Sequence, residues 1–106
     1  MVLVTCQKTD QSIGHAFVGD WKYEVMYQST DNTQNTTSMF EGRVVNFKDQ
    51  LTFYFGINDY VSGSVNKEGV VYTEQGDLLG VIEPNTCLLD FSRDGYHIIV
   101  EGVKVY

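Results

Sequence analysis

Cys6, Cys87, His15 and His97 are the residues of this sequence best suited to covalent chemistry. A thiolate activated by an imidazole makes a nucleophile, and the same four side chains with a carboxylate could hold a metal ion. Their arrangement argues against both. There is no Cys-x-x-Cys or His-x-His run and no family signature around either cysteine. Cys87 shares its strand face with Leu89 and Phe91, as a core thiol would, and His97 alternates outward. Asp10, Asp20, Asp31, Asp49, Asp59, Asp77, Asp90 and Asp94 fall mostly in turns, where a short carboxylate bonds the local backbone. The glycines at 14 and 19 neither follow a strand nor open a helix, so they form no phosphate loop. The sequence is read as a non-enzymatic protein with no cofactor and no metal.

Non-covalent recognition is the better use of what remains. Tyr23, Tyr27, Tyr54, Tyr60, Tyr72 and Tyr96 each offer a rigid ring and a hydroxyl, the combination favoured in recognition surfaces. Cross-strand packing in a β domain needs the same side chains. Glu41 and Arg43 share a strand face with Met39 and Val45. Facing inward they would anchor a ligand head group; facing outward they would be a solvated pair contributing little. The candidate ligand-binding residues are Trp21, Tyr27, Arg43 and Tyr54, the last three placed near the mouth of the domain.

The elements that must position these groups are strands. Trp21, Tyr23, Val25 and Tyr27 recur with period two against Lys22, Glu24 and Gln28, the pattern of a half-buried strand. Leu51, Phe53, Phe55 and Ile57 give the strongest core signal. Met39–Phe47, 60–65, 70–74, 78–82, 86–91 and 96–101 read as further strands, and residues 2–6 as a short first one. Phe17 is read as part of a helical turn or bend beneath Trp21. Turns fall at Lys48-Asp49-Gln50, Asn66-Lys67-Glu68-Gly69 and Ser92-Arg93-Asp94-Gly95, where Asp-Gly is a strong hairpin signal. Residues 28–38 are dominated by Ser, Thr, Asn, Gln and Asp and are expected to form a long exposed loop. Strands recurring at roughly 8–12 residues suggest an all-β barrel of about eight strands, with a sandwich as the alternative.

Composition narrows the function. The 106 residues form one domain, 1–106, large enough to bury its own core. Fourteen acidic and seven basic residues leave a net charge of −7, and the cations are scattered rather than clustered. Nucleic-acid binding, which needs concentrated positive charge, is excluded. No basic, then apolar leader and no apolar run of about 20 residues occur, so a cytoplasmic protein without a membrane span is expected. In that compartment two thiols are expected rather than a Cys6–Cys87 bridge. Asn35-Thr36-Thr37 is a glycosylation sequon that matters only on a secreted protein.

Gly19-Asp20-Trp21, opening the first long strand of a hairpin meander, resembles the motif of the calycin superfamily, which includes lipocalins, fatty-acid-binding proteins and avidins. The resemblance is carried by these three residues and, as a pattern only, by the strands over 17–106. It implies a small antiparallel barrel in which Trp21 is structural and closes one end. The chain departs from the family twice: it lacks the tryptophan run of an avidin biotin pocket, and it has no arginine near the last strand of the kind that often stacks on the lipocalin tryptophan, Lys104 being the nearest cation. Two functions are therefore expected. One is a binding protein taking a small molecule in or at the mouth of the barrel. The other is a protein-interaction module, such as a bacterial or phage inhibitor or adaptor, acting through its acidic surface and the 28–38 loop. Exposed strand edges would also support a homodimer.

Overall fold

The computed structural model describes residues 13–31, 35–56 and 59–105. The expected strand at 2–6, Cys6 and hence any Cys6–Cys87 bridge lie outside the described residues. A 3-10 helix, Ile13–Phe17, leads into eight strands: β1 (Gly19–Ser29), β2 (Asn35–Phe47), β3 (Gln50–Phe55), β4 (Asp59–Val65), β5 (Val70–Tyr72), β6 (Leu78–Ile82), β7 (Thr86–Arg93) and β8 (Tyr96–Lys104). Each pairs antiparallel with its chain neighbour, and β8 returns to pair with β1, closing a barrel in sequence order. Closure removes the sandwich alternative, because no free outer edge runs the length of two separate sheets.

Period-two alternation decides what points inward. On β1 the inward residues Trp21, Tyr23 and Val25 are buried while Lys22 and Glu24 are exposed. Leu51, Phe53 and Phe55 of β3 do the same, joined by Val44, Leu79, Leu89 and Val100 from other strands. Burying each such side chain stabilises the fold by about 1.5–3 kcal/mol. Tyr23 meets Phe55 edge-to-face at 4.8 Å between ring centroids, a favoured aromatic geometry.

The two ends differ. At the closed end the 3-10 helix covers the barrel, with Phe17 buried beneath Trp21. The Trp21 indole N–H donates to the Phe17 carbonyl at 2.9 Å, and Lys104 Nζ donates to the Ala16 carbonyl at 3.1 Å. The Gly14 amide donates to Asp49 Oδ1 at 2.7 Å. Gly19 sits at φ 151° with Lys104 Cε 2.9 Å from where a Cβ would stand, so only glycine serves there.

At the open end the wall thins. β4 pairs with β5 only at Ser64 and Val65, and β7 pairs with β6 only from Cys87 to Leu89. The gap between Asp59 and Arg93 is spanned by side chains: Arg93 donates to Asp59 Oδ1 at 2.6 Å and to the Tyr60 carbonyl at 2.9 Å.

One expected element changes. The loop expected over 28–38 is mostly strand: β1 runs to Ser29, β2 starts at Asn35, and Gln28 pairs with Asn35. The polar side chains there speak for exposure, but the backbone ladder continues beneath them, and Thr36 and Thr37 are β-branched. The Lys48-Asp49 and Asp94-Gly95 turns both have positive φ at both central residues, the mirror-image hairpin turn that matches sheet twist.

Candidate functional site

The barrel interior contains little that a ligand could reach. Tyr23, Leu51, Phe53, Leu89 and Val100 all have 0% exposure, so none lines a water-sized chamber. The buried groups that could do chemistry are held neutral. Burial, reinforced by Cys87, pushes the Tyr23 phenol well above its usual range, and its hydroxyl donates to the Arg43 carbonyl at 3.0 Å. Burial likewise pushes the Cys87 thiol up to about 12, with a smaller opposing effect from a hydrogen bond with the Gly102 backbone. A thiol that resists ionisation is a poor nucleophile.

The four sequence-predicted binding residues fall in different places. Trp21 is buried in the closed-end core, its indole N–H donating to the Phe17 carbonyl. Tyr27 faces inward at the open end, edge-on to Tyr96 at 6.2 Å. Partial burial and the Asp59 carboxylate raise its phenol pKa, while Arg93 opposes the shift. Arg43 and Tyr54 are cross-strand neighbours on the outside of the barrel, not at its mouth. The reason is register. Val44 and Phe53 take the inward phase of β2 and β3, so their odd and even neighbours must face out.

On that outer wall the side chains form a row. Asp20 lies opposite Arg43, Arg43 opposite Tyr54, and Tyr54 opposite Tyr60. The Arg43 guanidinium carbon stands 4.9 Å from the Tyr54 ring centroid, and the Tyr54 and Tyr60 rings lie 5.8 Å apart. Beside the row is an open hollow of about 740 Å3 lined by Asp20, Lys22, Glu41, Arg43, Tyr54 and the glycines at 42 and 56, with Trp21 beneath. Gly42 shapes it, because a Cβ there would collide with the Tyr54 carbonyl and force β3 away. A cation over a ring, flanked by carboxylates, can hold a polar or aromatic group by stacking and by charge.

Further round, the outer wall has features that alternation alone conceals. Val81, Leu88 and Val103 are exposed on β6, β7 and β8. Glu24 on β1 and Glu101 on β8 stand directly opposite each other. His97 Nε2 meets Asp90 Oδ1 at 2.5 Å on the same wall. The sequence signal for the apolar patch is the unbroken run Cys87-Leu88-Leu89, where strict alternation would put a polar residue at the centre. Arg93 as a strut across the mouth had no such signal, because its partner lies 34 residues away.

Among the described residues no cluster of three or more His, Cys, Asp or Glu side chains could hold a metal ion, and no helix is long and apolar enough to cross a membrane. Compared with protein-family models, curated proteins and solved structures, the chain matches none.

Proposed function

We propose that this barrel is a non-enzymatic protein-interaction module that binds through its outer wall. The observation that carries the reading is the filled interior. A small-molecule carrier needs a chamber of roughly 300 Å3 or more, whereas side chains at 0% exposure occupy the centre from Tyr23 to Leu89 and Val100. An eight-stranded barrel leaves an interior just wide enough for side chains, and here large aromatics take that space. Binding then falls to the surface, where the Arg43–Tyr54–Tyr60 row offers the stacked cation and rings enriched at protein interfaces. The net charge of −7 favours a basic partner and raises its encounter rate.

The barrel is calycin-like in this reading. Support comes from Gly19 and Trp21 at the closed end and from Lys104, which pairs in register with Trp21. A second reading, small-molecule binding at the mouth, is favoured by the inward-facing Tyr27 and Tyr96 beside the Arg93–Asp59 pair.

Native mass spectrometry of the protein isolated from its own source separates the two. The module reading expects a bare chain or a stoichiometric protein complex, and expects Arg43→Ala to weaken that complex. A retained small molecule whose release is accelerated by Tyr27→Ala would overturn it.

A further inference from the structure

Resting on the interaction-module reading, we infer that the β6–β7–β8–β1 face of the barrel docks a protein segment that presents Lys or Arg side chains among apolar ones. Val81, Leu88 and Val103 stand outside at 46%, 45% and 57% exposure, three large apolar side chains on adjacent strands. The register joins them. Val81 lies opposite Leu88, Leu88 opposite Glu101, and Glu101 opposite Glu24. One row across four strands therefore runs apolar, apolar, acidic, acidic, and Val103 flanks it two residues beyond Glu101. A surface hollow of about 400 Å3 lies here, with Glu83 and Glu101 on its lining and Gly102 between Glu101 and Val103.

The acidic half of the row is unfavourable in the free protein. Like charges directly opposite on a sheet destabilise it, and neither Glu24 nor Glu101 has an ion-pair partner among the described residues. Lys22, the nearest cation in register, lies opposite Val103 on one side and Glu41 on the other. A Lys or Arg from outside, placed between Glu24 and Glu101, would relieve that repulsion while its apolar neighbours cover Leu88 and Val103. Charge also selects against the other occupant. Two copies joined through this face about a two-fold axis would bring two sets of Glu24, Glu83 and Glu101 into one interface, with Lys22 the nearest cation in register.

The test is a nuclear magnetic resonance titration of the full chain with two short synthetic peptides, one alternating leucine and lysine, the other leucine and glutamate. The lysine peptide is expected to shift Glu24, Leu88, Glu101 and Val103 selectively, and the glutamate peptide to shift none of them. Leu88→Ser should weaken the lysine peptide about tenfold, and Glu101→Gln about fivefold, both being exposed positions that leave the fold intact. Shifts confined to the Arg43–Tyr54–Tyr60 row would overturn this face while sparing the module reading. Shifts scattered over the surface and indifferent to Leu88→Ser would overturn it as well. So would a self-association that Leu88→Ser abolishes, or nuclear Overhauser contacts from residues 2–6 to Val103 in the free protein. Binding of small apolar molecules at Tyr27 with no peptide response would overturn the module reading itself.

Discussion

Replacing Trp21 tests whether the Gly-x-Trp motif is a structural closure or a recognition element. The indole is almost completely buried, and its N–H donates to the Phe17 carbonyl at 2.9 Å, tying the 3-10 helix over the barrel end. Its ring also lies nearly parallel to Tyr23, with centroids 6.5 Å apart. Trp21→Phe keeps most of the apolar volume but removes the donor and part of a ring, a cost of about 2 kcal/mol from one net hydrogen bond and a partial cavity. Trp21→Ala opens the whole site and should cost about 3–5 kcal/mol. A domain of this size holds only about 5–15 kcal/mol in total. With a urea slope of about 2 kcal/mol per molar, the midpoints should fall by about 1 M and 2 M. Circular dichroism is the signal to follow, since the only tryptophan is the residue replaced. A midpoint shift under about 0.3 M for Trp21→Phe, with loss of partner binding, would refute the closure argument.

Four further outcomes follow from individual contacts. Raising the pH above 9 should erode stability, because the unfolded Cys87 thiol ionises near 9 and the folded one only near 12. The folded state then holds the extra proton, so stability falls with rising pH through that window by at most about 1.4 kcal/mol per unit from this group. In pH-dependent urea melts, Cys87→Ala should flatten the slope between pH 9 and 10, above which the buried Tyr23 phenol adds its own. Lys48→Gly should stabilise the protein by about 1 kcal/mol, since Lys48 holds φ 51° in its hairpin turn; a lowered thermal midpoint would contradict this. Arg93→Ala should leave global stability within about 1 kcal/mol, the pair being half exposed, yet speed amide exchange at Tyr60 and Ser62. Gly42→Ala should cost several kcal/mol, because the added Cβ meets the Tyr54 backbone rather than a movable side chain.

The architecture was readable where alternation was clean. Trp21, Tyr23 and Val25, or Leu51, Phe53 and Phe55, declare an inward face without help from the rest of the chain. Asp94-Gly95 declares its turn, and Phe17 lies beneath Trp21 as its position suggests. The polar stretch around 28–38 misled because composition reports exposure, while strand pairing is made by backbone that every residue carries. The site was less legible for a related reason. Arg43 and Tyr54 meet, but which face they meet on depends on register against Val44 and Phe53. Glu24 and Glu101 are 77 apart in the chain and become neighbours only when β8 returns to β1. Such long-range juxtapositions leave no local trace.

The filled interior is the claim on which the functional reading stands, and xenon tests it most directly. Methyl-resolved magnetic resonance of the protein under dissolved xenon would report any apolar chamber. The methyl groups of Leu51, Leu89 and Val100 are expected to stay in place, as their 0% exposure requires. Saturable shifts at those three residues would reveal a hollow barrel and return the protein to the ligand carriers.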